Sequence, residues 1–284
     1  EEMIRRFSDL YEDVLRKSGF RHASVRPSYA DHPYTCPFKI RMTRYCNGRH
    51  IPFYVPCGRC LYCQQHRADD WVTRQFCEAS VSTQVFFTTL TYDDLHLEDI
   101  SRYTLQCFFK RLRKAGLVFR YIALAEYGPK TCRSHYHILF FLNSVKHFSC
   151  PAHFSRWISF FWRRGNVDSK EPTRNHHKYI AGYSKELFVD TPSFKLYSLR
   201  PGIGKNTDYY RYLMDYWANT GERSVTTGDG DVQIPYSCIL DWRKMNDIEA
   251  DPPDMSDFKP TCRDIEHYLY DLQQAYSAFS RRKL

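Results

Sequence analysis

Two stretches, Phe119–Tyr127 (FRYIALAEY) and His135–Leu142 (HYHILFFL), are separated only by the connector GPKTCRS. Each has the length and the aromatic, branched composition of a strand, and a seven-residue connector with Gly and Pro turns the chain straight back. The pair predicts an antiparallel hairpin, and this hairpin constrains how the rest of the chain can fold. Side chains of a strand alternate between faces, so His135 and His137 project from one side while Tyr136 points to the other. Pairing back across the connector brings Glu126 opposite the His135–His137 region. Two imidazoles and a carboxylate on one face suit Mg2+ or Mn2+, with positions left over for water and phosphate oxygens. The plain alternative is one packed and one solvated histidine.

Around the hairpin, Gln84–Tyr92 predicts a strand, and a helix capped by Ser101 runs to about Ala115 with Gly116 as its stop. Further helices are expected over Asp69–Ala79, Pro151–Arg164 and Thr207–Ala218, from about Thr261, and from a Thr173 cap to about Leu187. A strand is expected near Val232–Leu240. Strand, helix, strand, strand, helix, helix predicts an α+β fold: a central antiparallel sheet with helices packed on it. The expected divisions are an N-terminal arm over 1–34 with a short helix Glu1–Lys17, a cysteine-rich module over 35–70, the sheet-bearing core over 71–190 and a C-terminal extension over 191–284.

Within the Thr173 helix, Tyr179 and Tyr183 are four residues apart and are expected to share a face. A phenol ionises near pH ~10 and needs a cation or metal beside it to attack at neutral pH. Lys178 and Lys185 flank the pair. Tyr179 keeps Lys178 as its neighbour and sits earlier on the helix, toward the positive end of its dipole, which makes it the expected first nucleophile with Tyr183 acting later. A metal pair on a strand and a tyrosine pair on a helix point to a nuclease that attacks DNA with tyrosine. In a chain with 22 tyrosines, simple packing is the alternative.

Cys57-Gly58-Arg59-Cys60-Leu61-Tyr62-Cys63 places three thiols at two-residue gaps, close enough to share one ion. A tetrahedral structural Zn2+ needs a fourth ligand, and Cys36 is preferred over Cys46. An iron–sulfur cluster uses similar spacings. Eleven cysteines, an odd number, argue against a disulfide scaffold and for reduced thiols in a cytosol. A deaminase signature would need His-x-Glu before the cysteines, whereas His96-Leu97-Glu98 comes after them. Pro201-Gly202-Ile203-Gly204-Lys205-Asn206 lacks the spacing and the hydroxyl of a nucleotide-triphosphate loop.

Lys and Arg total 41 against 32 Asp and Glu, a formal charge of +9, and 17% of residues are aromatic. Excess positive charge favours a polyanion, and aromatic rings offer stacking surfaces to unpaired bases. No stretch approaches the ~18 apolar residues of a membrane span, and the charged N-terminal residues carry no secretory core.

The segments VPCGRCLYCQQHRADDW (55–71), FFTTLTYDD (86–94), EYGPKTCRSHYHILFF (126–141), KYIAGYSKE (178–186) and SLRPGIGKN (198–206), with IPYSCILDW (234–242) as a weaker echo, carry a resemblance. Together, and in this order, they resemble the replication initiators of small single-stranded DNA phages, the gokushovirus type of Microviridae, within the HUH endonuclease superfamily. The resemblance implies a sequence-specific nickase acting on a single-stranded DNA origin to start rolling-circle replication through a 5′-phosphotyrosine, in the cytoplasm of a bacterial host and with host replication machinery as a partner. It also implies a central sheet carrying the His135/His137 strand and a helix carrying the nucleophile. The family often has Lys immediately before its second tyrosine, and here that position is Gly182, which removes a cation. An HUH transposase or relaxase shares the chemistry, and the upstream cysteine module favours the phage initiator. A zinc-stabilised DNA-binding protein without catalysis is the alternative from another class.

Overall fold

A computed structural model describes residues 36–46, 48–128, 132–182, 193–222, 224–227, 230–246 and 262–281. The chain divides into two units, Glu1–Cys63 with Asp251–Leu284, and Gln64–Ala250. The helix expected over Glu1–Lys17 lies outside the described residues.

The first unit holds an antiparallel hairpin of β1 (Ile40–Cys46) and β2 (Arg49–Val55), with Gly48 in the left-handed conformation of its turn. Helix α1 (Leu61–Ser80) starts inside the cysteine run and continues into the second unit. It begins eight residues before the expected Asp69, because Cys60 and Cys63 tie its first turn into the cysteine cluster.

In the second unit, β3 (Gln84–Thr91), β4 (Phe119–Tyr127), β5 (Ser134–Leu142), β6 (Val167–Lys170) and β7 (Phe194–Tyr197) form an antiparallel sheet in the order β6-β3-β5-β4-β7. The architecture is α+β, as the sequence predicts. The ligand-bearing hairpin supplies the central strand β5 and its neighbour β4, so β5 is hydrogen-bonded on both sides.

The period of two in β5 separates the faces. Tyr136, Ile138, Phe140 and Leu142 join the main core beneath α2 (Arg102–Lys114) and α3 (Pro151–Trp162). The helices contribute Leu105, Phe108, Phe109 and Leu112, and Phe154, Ile158 and Trp162, all buried. Burying each such side chain stabilises the fold by about 1.5–3 kcal/mol. The Ser101 hydroxyl caps α2 by accepting from the Thr104 N–H, and Pro151 opens α3 where no helical partner for its nitrogen is needed. Gly165 sits at φ 145°, where a Cβ would lie 2.2 Å from the Thr91 carbonyl oxygen, so only glycine lets this turn close on β3.

On the opposite face, Leu139 and Phe141 meet Phe87, Ile122, Ile203 and Ile180, the last from α4 (Arg174–Ala181). This second layer is what brings α4 over the face from which His135 and His137 project. A smaller core joins Cys77 to Tyr210, Leu213 and Met214 of α5 (Asp208–Thr220), Val225 of β8 (Ser224–Thr227), Ile234, which comes just after β9 (Gly230–Gln233), and Cys238 of α6 (Tyr236–Met245). The strand expected over Val232–Leu240 is therefore mostly helix. Pro235 ends β9, and Cys238 and Ile239 are buried on α6, with Cys238 packed against α5.

Helix α7 (Cys262–Arg281) belongs to the first unit, whereas β7 through α6 belong to the second. Its Tyr268 hydroxyl accepts from the Leu61 N–H at 3.3 Å, and the Tyr62 hydroxyl donates to Asp271 at 2.9 Å. Phe38 packs edge-on against the Tyr268 ring at 5.0 Å. No described helix is long and apolar enough to cross a membrane.

Candidate functional site

The hairpin register pairs Glu126 with His135, and on the other side β3 sets Thr89 against His137. Directly opposed residues share a face, so the carboxylate and both imidazoles converge. His135 Nε2 lies 3.3 Å and His137 Nε2 lies 3.5 Å from the same oxygen, Glu126 Oε1. The carboxylate is 4% exposed and the two imidazoles 13% and 14%.

Each ring is held from behind. His135 Nδ1 donates to the Arg133 carbonyl at 3.0 Å, and His137 Nδ1 lies 3.0 Å from the Thr89 hydroxyl. A carbonyl only accepts, so the hydrogen of a neutral His135 resides on Nδ1 and its Nε2 lone pair faces the carboxylate. A lone pair and a carboxylate oxygen at this distance repel unless a cation stands between them. The donor set therefore fits a divalent ion held by Glu126, His135 and His137, with the rings already oriented. Phe87 stacks on His137 at 5.5 Å and on His176 at 4.3 Å, walling one side of the site with apolar surface.

Tyr179 closes the cluster. Its ring meets His137 edge-on at 5.1 Å, and its hydroxyl donates a short hydrogen bond to Glu126 Oε1. Burial first, and then the charge of Glu126, hold this phenol above its usual range. Helix α4 is anchored by buried Ile180, Ala181 and His177. His177 Nδ1 bonds Gln75 at 2.8 Å, and desolvation pushes its pKa down to about 4.

Two expectations about this helix are corrected. It closes at Ala181, because Gly182 takes the left-handed conformation at φ 88° and its N–H turns back to the carbonyls of Lys178 and Tyr179. The continuous helix to about Leu187 is interrupted there, so helical spacing gives Tyr179 and Tyr183 no shared face. Tyr183 and Lys185 themselves lie outside the described residues. Tyr179 also sits in the last turn of α4, at the negative end of its dipole, not near the positive one.

The second cluster lies in the first unit. The sulfurs of Cys36, Cys57, Cys60 and Cys63 lie within 4.8 Å of one another, with Cys36–Cys60 at 3.7 Å and Cys57–Cys63 at 3.9 Å. A tetrahedral ion with Zn–S bonds of ~2.3 Å separates its ligands by ~3.8 Å. Backbone N–H groups of Arg59 and Cys60 donate to the Cys57 sulfur, and that of Cys57 donates to the Cys36 sulfur. Such donors favour thiolate. Hydrogen bonds from Cys60 and Cys63 hold Cys36 far below the ordinary thiol range, while Cys60 and Cys63 are pushed up. The four sulfurs fit one zinc.

Residues 85–187 match the family model for the replication-associated protein ORF2. Over 224 residues the chain is 30% identical to the replication-associated protein VP4 of Bdellovibrio phage phiMH2K, covering 69% of this chain and 70% of that protein. The chain belongs to the microvirus replication-associated proteins. It is also 29% identical to replication-associated protein ORF4 of Chlamydia phage 1 and 32% identical to replication-associated protein ORF2 of Spiroplasma virus 4, covering 50% and 48% of this chain. It spans 40% and 49% of those two proteins. No solved structure matches it. The matched range 85–187 contains Glu126, His135, His137 and Tyr179, so the cluster lies within the part common to these replication-associated proteins.

Sequence reading misses one cation on this face. Lys195 of β7 pairs with Leu124, which makes it a diagonal neighbour of Glu126, and its Nζ donates to the Ala181 carbonyl at the end of α4 at 3.0 Å. Only the β4–β7 pairing places it there, and a four-residue edge strand has no clear sequence signal. The loop carrying Gly204 and Lys205 is built for packing: Gly204 N–H donates to Glu78 at 2.7 Å, and Lys205 pairs with Asp241 at 2.8 Å. Its donors are engaged by carboxylates, in keeping with the absence of a phosphate-loop spacing.

Proposed function

We propose that this protein is a metal-dependent tyrosine endonuclease of the HUH type that nicks and rejoins single-stranded DNA at a phage origin to initiate rolling-circle replication. The observation that carries the reading is the Tyr179 hydroxyl on Glu126 Oε1, the same oxygen that both His135 and His137 approach. Glu126, His135 and His137 would hold Mg2+ or Mn2+, which when bound supplies Lewis-acid polarisation of the scissile phosphate.

The chain's own groups do the rest. Tyr179 supplies the nucleophilic oxygen, and its proton has an acceptor at hand in Glu126. The Tyr179 oxygen forms a bond to phosphorus as the bond from phosphorus to the 3′ oxygen breaks. That oxygen takes a proton from solvent and leaves as a free 3′-hydroxyl, which primes a host polymerase. The new phosphotyrosine keeps the energy of the phosphodiester, so the reverse attack rejoins the strand without ATP. Lys195 at the end of α4 supplies positive charge on the site face, in the neighbourhood where Gly182 leaves none. Tyr183, with Lys185, is assigned the later cut and rejoining. Cys36, Cys57, Cys60 and Cys63 hold a structural zinc.

The test is to incubate the protein and Mn2+ with labelled single strands tiled from the genome that encodes it. A covalent adduct that disappears on chelation and in Tyr179→Phe, mapped by mass spectrometry to Tyr179, is the expected outcome. An adduct on Tyr183 alone would reverse the order of the tyrosines, and binding without any adduct would reduce the protein to a DNA-binding module.

A further inference from the structure

We propose that the groove between α2 and α3, on the face of the sheet opposite Tyr179, is a second DNA site that takes the phosphates and one base of the single strand flanking the cut. The inference rests on the nickase reading of the Glu126 cluster. The groove encloses about 670 Å³. Arg111 and Lys114 line it from the last turn of α2, Arg163 and Arg164 from the residues after α3, together with Phe160 and Glu98. Four cations thus face one carboxylate, and Arg164 already holds that carboxylate in an ion pair.

Helix ends attract basic residues on their own account, but these cations exceed that need. Arg113, in the same turn of α2, lies over the rings of Phe119 and Tyr121, where it supports the fold. Arg111 and Lys114 have no acidic partner among the described residues and line the groove instead. Phe160 is 63% exposed, with the Arg163 guanidinium 4.8 Å from its ring centroid. An exposed ring beside clustered cations matches the stacking platform and charged track that recognise unpaired bases and their phosphates. A duplex keeps its base faces stacked and offers nothing to this ring.

The position suits a flanking segment. After α3 the chain returns beside β3, where Asp93 N–H donates to the Arg164 carbonyl at 2.8 Å and Thr91 N–H to that of Asn166 at 3.0 Å. Thr91 is the cross-strand partner of His135. The Arg164 end of the groove therefore opens at the same end of the sheet as the Glu126 cluster, and a strand leaving that cluster reaches it around the sheet's end.

The experiment uses the full chain and fluorescence anisotropy with labelled oligodeoxythymidylate and with a duplex of equal length. Arg111→Gln/Lys114→Gln is expected to weaken single-strand binding about tenfold and to lower the salt slope by about 1.4, the value for two lost phosphate contacts. Phe160→Ala is expected to cost about tenfold for the single strand and nothing for the duplex. Arg111→Lys/Lys114→Arg should bind as wild type. Unchanged affinity and slope in variants with native circular dichroism would overturn the proposal, and so would equal losses on single strand and duplex. Adduct yield on origin DNA at saturating concentration separates the two readings. If wild type forms no adduct while the groove variants still lose affinity, the groove stands and the nickase reading fails. If the adduct forms and the groove variants bind normally, the reverse holds.

Discussion

The two clusters of ligand-type side chains are built in opposite ways. The cysteine cluster draws three ligands from one seven-residue run and only Cys36 from farther away, and the local backbone donates hydrogen bonds to its sulfurs. The Glu126/His135/His137 cluster draws its ligands from two strands of a sheet, orients them through Arg133 and Thr89, and adds Tyr179 from a third element. Four sulfurs complete a tetrahedron and close it. Two imidazoles and one carboxylate leave coordination positions for substrate. A closed site stabilises, an open one reacts, and the difference is legible in how each set of ligands is held.

The strongest way to break this contrast is to remove the zinc. Chelation or Cys60→Ser should withdraw folding free energy on the order of 10 kcal/mol and unfold the first unit. Circular dichroism with elemental analysis checks this, and a purified protein that contains iron or no metal, or melts unchanged after chelation, would contradict it. His135→Ala/His137→Ala should do the reverse, cutting adduct formation by about 100-fold or more while the melting temperature stays within a few degrees. Retained cleavage would remove the imidazoles from the chemistry.

Acid separates the clusters more gently. His177 has its folded pKa depressed to about 4 from an ordinary 6.5, so the unfolded chain binds the extra proton first. Its contribution is complete above pH 6.5 and is lost as pH falls through 6.5 toward 4, amounting to about 3 kcal/mol. Wild type should lose stability over that window faster than His177→Gln, and subtracting the two denaturation curves cancels whatever the cysteines contribute. Parallel curves would show that His177 is not the titrating group. The smallest effect is expected at Thr89→Val, which leaves all three ligands in place but frees His137 Nδ1. Metal affinity measured by calorimetry should fall about tenfold, and an unchanged affinity would show that the hydroxyl does not orient the ring.

Most of the metal cluster was legible because it depends on the shortest long-range contact a chain can make. A hairpin connector sets its own register, and Glu126 falls opposite His135 as loop length implies. The helix carrying Tyr179 was read too long, because five further residues of acceptable composition come after a glycine whose left-handed conformation only the folded chain displays. The strand expected over Val232–Leu240 failed for a related reason: a short apolar run fits either periodicity, and packing against α5 selects helix. Lys195, the Gln75–His177 contact and the Tyr268 contact with Leu61 depend on residues distant in sequence, and no local pattern marks them.

The place of β5 in the sheet has a consequence for how the molecule breathes. Amide hydrogens at the middle of a five-strand sheet are released only by near-global opening, whereas edge strands and short peripheral helices open often and alone. His135 and His137 ride on the slowest-exchanging strand, and Tyr179 rides on an eight-residue helix over one face. Thermal motion thus reaches the attacking residue long before it reaches the histidines. Hydrogen exchange should find α4 unprotected under conditions where β5 is still locked, so the nucleophile can swing clear with a covalently held DNA end while the histidines wait in place for the next strand.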